Sequence, residues 1–183
     1  MNNYLTNPLE FLITTLISLY ILAVMLRFLL GVVRADFYNP VSQFLVRITN
    51  PLLVPLRKVI PVIGKFDTAA VVLMLVLQLV SVFIVVSLRG ASVPFFSILL
   101  YTVGELFMLL INIFLVSILV QVILSWISPS TYSPVSTLLY SLTNPILKPI
   151  QRVIPPLSGI DLSPLFAMIG LQVLRMLVMP LLH

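Results

Sequence analysis

Cysteine is absent from the 183 residues, and the single histidine, His183, is the last of them. Without a thiol there is no disulfide framework, no thiolate nucleophile and no zinc–cysteine site. Metal ligation or general-base catalysis by histidine needs an imidazole held among converging groups, and a terminal residue is read as a chain end. Charge is scarce too: 8% of residues are charged, 61% are hydrophobic, and the mean hydropathy is +1.22. Soluble domains carry roughly 25% charged residues. Five acidic and ten basic side chains cannot clothe such a fold against water, and the greasy surface that remains suits lipid. An integral membrane protein is expected. Catalytic constellations are missing as well: no Ser-His-Asp set, no H-E-x-x-H, no phosphate-cradling glycine loop and no paired carboxylates. The reading is therefore of a non-enzyme with no cofactor and no metal. A net charge of +5 points to nucleic acid only on a clustered basic face of a soluble domain; here it is read as membrane topology, with no nucleic-acid partner.

What the sequence has in abundance is long apolar runs. Phe11–Val33, Thr68–Leu88, Leu106–Ile127 and Leu162–Leu182 each match the roughly 20 helical residues that cross a hydrocarbon core of about 30 Å. The first lacks a basic n-region and a small-residue cleavage site, so it reads as a span and not as a signal peptide, with Asn7-Pro8 to start it. Val93–Tyr101 is too short to cross and is read as an interfacial segment or an extension of the third span.

Sliding the chain over itself by 94 residues superposes its second half on its first without a gap. Between Pro40–Gln78 and Pro134–Gln172, sixteen of thirty-nine positions are identical. They include Thr49/Thr143, Asn50/Asn144, Pro51/Pro145, Pro55/Pro149, Pro61/Pro155 and Asp67/Asp161. Shared hydrophobicity cannot match prolines, asparagines and aspartates, so the chain is a tandem duplication. The expected fold is all-α: four transmembrane helices as two span–linker–span units, 1–90 and 91–183, related by an axis along the membrane normal.

Eleven of the fourteen prolines fall in the two linkers. Val41, Phe44, Leu45 and Ile48 follow one helical face, and Val135, Leu138, Leu139 and Leu142 repeat it. Asn39-Pro40 and Ser133-Pro134 supply caps and a first-turn proline. Asn50-Pro51 and Asn144-Pro145 read as second helix starts, followed by a short helix that Pro55 or Pro149 kinks. An apolar face opposite Arg57 and Lys58, or opposite Lys148, Gln151 and Arg152, suits an amphipathic element in the headgroup region. A re-entrant position is the alternative, and would need protein to satisfy the freed backbone groups.

The element Thr49-Asn50-Pro51-Leu52-Leu53-Val54-Pro55-Leu56-Arg57-Lys58-Val59-Ile60-Pro61, closing on Asp67, resembles the signature of the YggT/YlmG family. Thr143-Asn144-Pro145-Ile146-Leu147-Lys148-Pro149-Ile150-Gln151-Arg152-Val153-Ile154-Pro155-Pro156, closing on Asp161, is closer still. The resemblance covers nearly the whole chain in the manner of the two-copy bacterial form. It implies a small multi-pass membrane protein without an established catalytic activity. Relatives are linked to cell division and nucleoid distribution, to maturation of membrane cytochrome complexes in plastids, and to osmotic or potassium stress. The first copy departs from the pattern at Lys65 and Thr68-Ala69-Ala70.

Individual residues carry further expectations. Arg57, Lys58, Lys148 and Arg152 are candidates for docking anionic lipid or an acidic partner; the plainer reading is the positive-inside rule alone. Asp67 and Asp161 each precede a span and read as helix caps. Gln78 and Gln172 occupy equivalent mid-span positions, where amides need partners, and read as a clamp between the units or as a transport site. Arg27 and Gln121 also align, and Arg27 is expected to snorkel. Arg175 shares a helical face with Gln172, and Glu105 and Asn112 lie toward the same side, so a Glu105–Arg175 contact is expected. Trp126 reads as an interfacial anchor. Basic residues concentrate in the two proline-rich linkers, which places these in the cytoplasm and both termini outside. The overall expectation is a bacterial inner-membrane scaffold or assembly factor, in contact with anionic lipid and an unidentified membrane-protein partner, with homo-oligomerisation open. The alternative is a conduit or modulator for ions or osmolytes under stress.

Overall fold

Long runs of Leu, Ile, Val and Phe with few turn residues leave the backbone one means of satisfying its polar groups in lipid, the α-helix. The computed structural model describes residues 6–64, 66–127, 133–154 and 161–182. These form six α-helices and a short 3-10 segment: α1 (Thr6–Val32), α2 (Pro40–Arg57), α3 (Thr68–Leu88), α4 (Phe95–Ile127), α5 (Pro134–Val153), α6 (Ser163–Val178) and Met179–Leu182. Among the described residues, three stretches are long and apolar enough to cross a membrane: Pro8–Val32, Thr68–Leu88 and Phe95–Ile127. The expected fourth, Leu162–Leu182, is instead a helix of 16 residues that tightens into the 3-10 segment. Val93–Tyr101 resolves in favour of an extension, because α4 runs unbroken for 33 residues. At 1.5 Å per residue that is roughly 50 Å, more than a hydrocarbon core needs.

The linkers differ from expectation in one respect. Asn50-Pro51 and Asn144-Pro145 start no second helix, since α2 and α5 each run continuously through two prolines, Pro51 and Pro55 or Pro145 and Pro149. A proline removes one N–H and frees the carbonyl four residues earlier. All four prolines lie on exposed surface, so the freed carbonyls face outward and the helix persists. The start signals hold, whereas of the expected apolar face of α2 Leu45 is buried and Val41 and Phe44 are exposed. Asn39 caps α2 by accepting from Val41 N at 2.9 Å, and Ser133 forms a reciprocal capping box with Ser136 in α5. Pro155 lies outside the described residues.

The two units pack alike. In the first, α1, α2 and α3 touch one another pairwise; in the second, α4, α5 and α6 do the same. The α2 helix lays Leu45, Thr49 and Leu53 over the C-terminal half of α1 and the first turns of α3, where Leu53 joins a core with Ile21, Val24, Met25, Ala70 and Leu73. In α5, Leu147 fills the equivalent place beside Ile118 and Ala167. The units meet along α3 and α4, α1 touches α4 and α5, and α2 touches α5. Asn39 Nδ2 donates to the Pro134 carbonyl at 2.7 Å, tying together the starts of the two linker helices.

At the end of α1, Ala35 N bonds Leu30 O and Arg34 N bonds Gly31 O at 2.9 and 3.1 Å, a Schellman closure that needs a left-handed residue. Gly90 fills that role after α3 with φ 63°, but after α1 the residue is Arg34 with φ 53°. A side chain there is strained, and glycine is not. Arg34→Gly is therefore expected to raise stability by about 1 kcal/mol, read as a higher denaturation midpoint in detergent, while Arg34→Ala brings no gain.

Candidate functional site

The duplicated fold brings together residues that are far apart in sequence, and it does so twice. From α1, the Arg27 guanidinium donates to Thr49 Oγ1 at 2.6 Å and to the Val46 carbonyl at 3.4 Å. From α4, the aligned Gln121 accepts through Oε1 from Thr143 Oγ1. Both threonines are fully buried; Thr49 Oγ1 donates back to Leu45 O at 2.6 Å, whereas Thr143 Oγ1, 2.8 Å from Leu139 O, shares its one proton between that carbonyl and Gln121. Arg27, expected to snorkel to the cytoplasmic edge, is held against α2. At the C-terminal end of each linker helix the correspondence recurs, with partners ten residues apart. Arg57 is ion-paired with Asp67, whereas the aligned Gln151 donates to Asp161 Oδ2 at 2.9 Å.

Both aspartates also act at helix starts. Asp67 caps α3 by accepting from Ala70 N at 3.3 Å. Asp161 accepts from Ser163 N at 2.9 Å, one residue ahead of the position that caps α6. Burial works against the Asp161 charge, but the hydrogen bonds from Ser163 and Gln151 outweigh it and hold the carboxyl below its ordinary pKa. The two junctions thus share geometry and differ in charge: two guanidiniums and a carboxylate in the first unit, two amides and a carboxylate in the second.

The four basic candidates do not form one patch. Arg57 is committed to Asp67 and lines, with Arg27, a cavity of about 390 Å³ between α1 and α2. Lys58 is exposed just beyond α2. Lys148 and Arg152 share an open groove of about 420 Å³ with Ser141, Asn144 and Val33, so the polar stripe of α5 lies beside the end of α1. Pro145 and Pro149 form its other wall.

The intramembrane polar candidates are also distributed differently from expectation. Gln78 and Gln172 form no clamp: α3 and α6 are not packed against each other, and Gln172 is exposed. Gln78 instead faces a cavity of about 630 Å³ with Thr14, Ser18, Ser81, Tyr101 and Glu105. No Glu105–Arg175 ion pair forms among the described residues, whose ion pairs are Arg57–Asp67 and Arg89–Glu10. Asn112 is half-buried and Trp126 exposed.

Sequence reasoning missed the Glu10–Arg89 pair, whose second bond is Nε to Oε2 at 3.2 Å. It also missed Tyr20, whose hydroxyl reaches the Ile48 carbonyl at 3.3 Å. Nothing local signals either contact, since the partners lie 79 and 28 residues apart. The one legible sign was that Arg27 and Thr49 recur, as Gln121 and Thr143, at a single offset.

Comparison with known proteins follows the same division. A family model described as CCB3/YggT matches the chain twice, over residues 6–88 and 100–182. Uncharacterized protein PA0392 of Pseudomonas aeruginosa is 43% identical over 92% of this chain and 86% of its own length. An uncharacterized protein encoded in the proC 3' region of Vibrio alginolyticus is 39% identical over 91% of this chain and 90% of its own. Uncharacterized protein YggT of Escherichia coli is 38% identical over 93% of this chain and 88% of its own. No solved structure matches the chain.

Proposed function

The chain belongs to the CCB3/YggT family, and from that premise we propose that it is a non-catalytic bacterial inner-membrane protein serving as a scaffold or assembly factor. In this reading each unit crosses the bilayer twice, the fourth crossing being α6 continued through the 3-10 segment. Ser163 to Leu182 would together extend about 30 Å. Basic residues support a cytoplasmic position for the linkers: Arg34, Arg47, Arg57, Lys58, Lys65, Lys148 and Arg152 lie between spans one and two or three and four, and only Arg89 lies between spans two and three.

The observation that carries the proposal is the outer surface of the paired linker helices. With their inner faces packed on the spans, α2 and α5 still expose large apolar side chains, among them Phe44, Leu52, Val54 and Tyr140. Arg47, Lys58, Lys148 and Arg152 are exposed on or beside the same helices. A mixed apolar and basic surface at headgroup depth fits anionic lipid and a membrane-protein partner. A second reading, a conduit for ions or osmolytes, is favoured by one feature, the cavity lined by Gln78, Glu105 and several hydroxyls among valines.

One experiment separates the two. Lys58, Lys148 and Arg152 changed together to Gln are expected to abolish crosslinking to neighbouring membrane proteins in cells, each charge being worth about 1 kcal/mol at an anionic surface. Gln78→Leu should leave the crosslinks intact, and proteoliposomes should pass no more potassium than empty vesicles. Potassium flux that Gln78→Leu removes, with crosslinking indifferent to the linker changes, would replace the scaffold reading with the conduit.

A further inference from the structure

The geometry points to a phosphate-binding pocket in the first unit, the cavity between α1 and α2, built for a single phosphate group carried by an anionic phospholipid or free in solution. It lies inside one unit and does not depend on the scaffold reading. The cavity measures about 390 Å³; Arg27, Arg57 and Ser42 contribute its donors, and Asp67 also lines it. Phe28, Leu45 and Val62 are among its apolar walls. Asp67 neutralises one of the two guanidiniums, which leaves one net positive charge. Arg27 spends a single nitrogen, Nη1, on Thr49 and Val46, so most of its five donors stay available for the forked recognition of phosphate oxygens.

Ser42 supplies the independent observation. Ser42 is only 7% exposed, yet its hydroxyl has no hydrogen-bond partner among the described residues, and a buried hydroxyl left unpaired is costly. The second unit shows why Ser42 is free. There the aligned Ser136 is consumed by the capping box with Ser133, while α2 is capped by Asn39, which accepts from Val41 and leaves Ser42 unused. Ser42 lines the cavity that also holds two guanidiniums, and with them its unpaired hydroxyl suits an acceptor with several oxygens.

Duplication provides the control within the same chain. At the positions of Arg27 and Arg57 the second unit has Gln121 and Gln151, which keep the contacts to Thr143 and Asp161 with no cation. The double variant Arg27→Gln, Arg57→Gln therefore rebuilds in the first unit an arrangement the fold already accommodates. An apolar wall beside the cationic donors suits the glycerol and acyl portions of a lipid, so phosphatidylglycerol and inorganic phosphate are the two sources to compare.

The test uses the full chain in neutral detergent. Native mass spectrometry reads the phosphatidylglycerol adducts, and calorimetry reads the titration with inorganic phosphate. The expected result is one saturable site per chain for phosphatidylglycerol. The double variant should weaken it by about tenfold or more, given the strength of hydrogen bonds to charged groups, and Ser42→Ala should weaken it less. Arg89→Gln, at the far end of α3, should leave it unchanged, and circular dichroism should show the same helix content throughout. Saturable binding of inorganic phosphate that depends on Arg27 and Arg57, without the lipid site, would also bear the pocket out and would assign it to the free anion. Binding of either probe that the double variant leaves untouched, or no saturable site for either probe, would overturn the inference.

Discussion

Truncating Leu53 to alanine is expected to destabilise the protein by about 2–4 kcal/mol, and Leu147→Ala, its repeat equivalent, by a similar amount. Leu53 is 0% exposed and Leu147 2% exposed, each inserted by a linker helix between the two flanking helices of its own unit. Inside a bilayer the hydrophobic effect contributes little between helices, because lipid tails are as apolar as leucine. What truncation removes is packing: the neighbours lose their dispersion partners and the surrounding helices collapse only partly into the space. Phe44 on the same helix is 60% exposed, and Phe44→Ala is expected to change stability by less than about 0.5 kcal/mol. Unfolding in mixed micelles with increasing dodecyl sulfate reads all three variants. Equal, small effects at Leu53 and Phe44 would mean that α2 is not docked on the spans, and the packing described for both linkers would be wrong.

The parts of this architecture that were legible in sequence are those encoded by local pattern or by repetition. Thr68–Leu88 matched α3 at both ends because Asp67 marks its start and Arg89 and Gly90 its finish. Asn39-Pro40 and Ser133-Pro134 fixed the starts of α2 and α5 for the same reason. The offset of 94 residues anticipated two units, and the family match divides the chain in two as well.

Failures came where one local signal serves two structures. Asn50-Pro51 is a good helix start and an equally tolerable helix interior when the freed carbonyl faces outward, and only the packing of Leu45, Thr49 and Leu53 on one face distinguishes these. Gln78 and Gln172 align in sequence, but alignment within units says nothing about contact between them; α3 lies beside α4, and α6 stays away from α3. Arg27 illustrates the converse. Near the end of a span it fits snorkelling, and its partner Thr49, 22 residues away, became visible only when α2 was folded back over α1. The contrast between Arg27 with Arg57 and Gln121 with Gln151 was present in the sequence throughout, but it acquires meaning only when the two junctions prove geometrically alike.

The central claim is that both linker helices work on one face of the membrane, the cytoplasmic one. Because the chain contains no cysteine, single cysteines can be introduced without background. Val59 and Val153 are repeat equivalents just past α2 and at the end of α5, each 80% exposed, and Ala91 lies in the turn between α3 and α4. The measurement is labelling of Val59→Cys, Val153→Cys and Ala91→Cys by a membrane-impermeant maleimide on spheroplasts, before and after permeabilisation. The account predicts that Ala91→Cys reacts in intact spheroplasts, whereas Val59→Cys and Val153→Cys react only once the membrane is opened. Labelling of Val59→Cys or Val153→Cys from outside, or a difference in sidedness between the two, would contradict it.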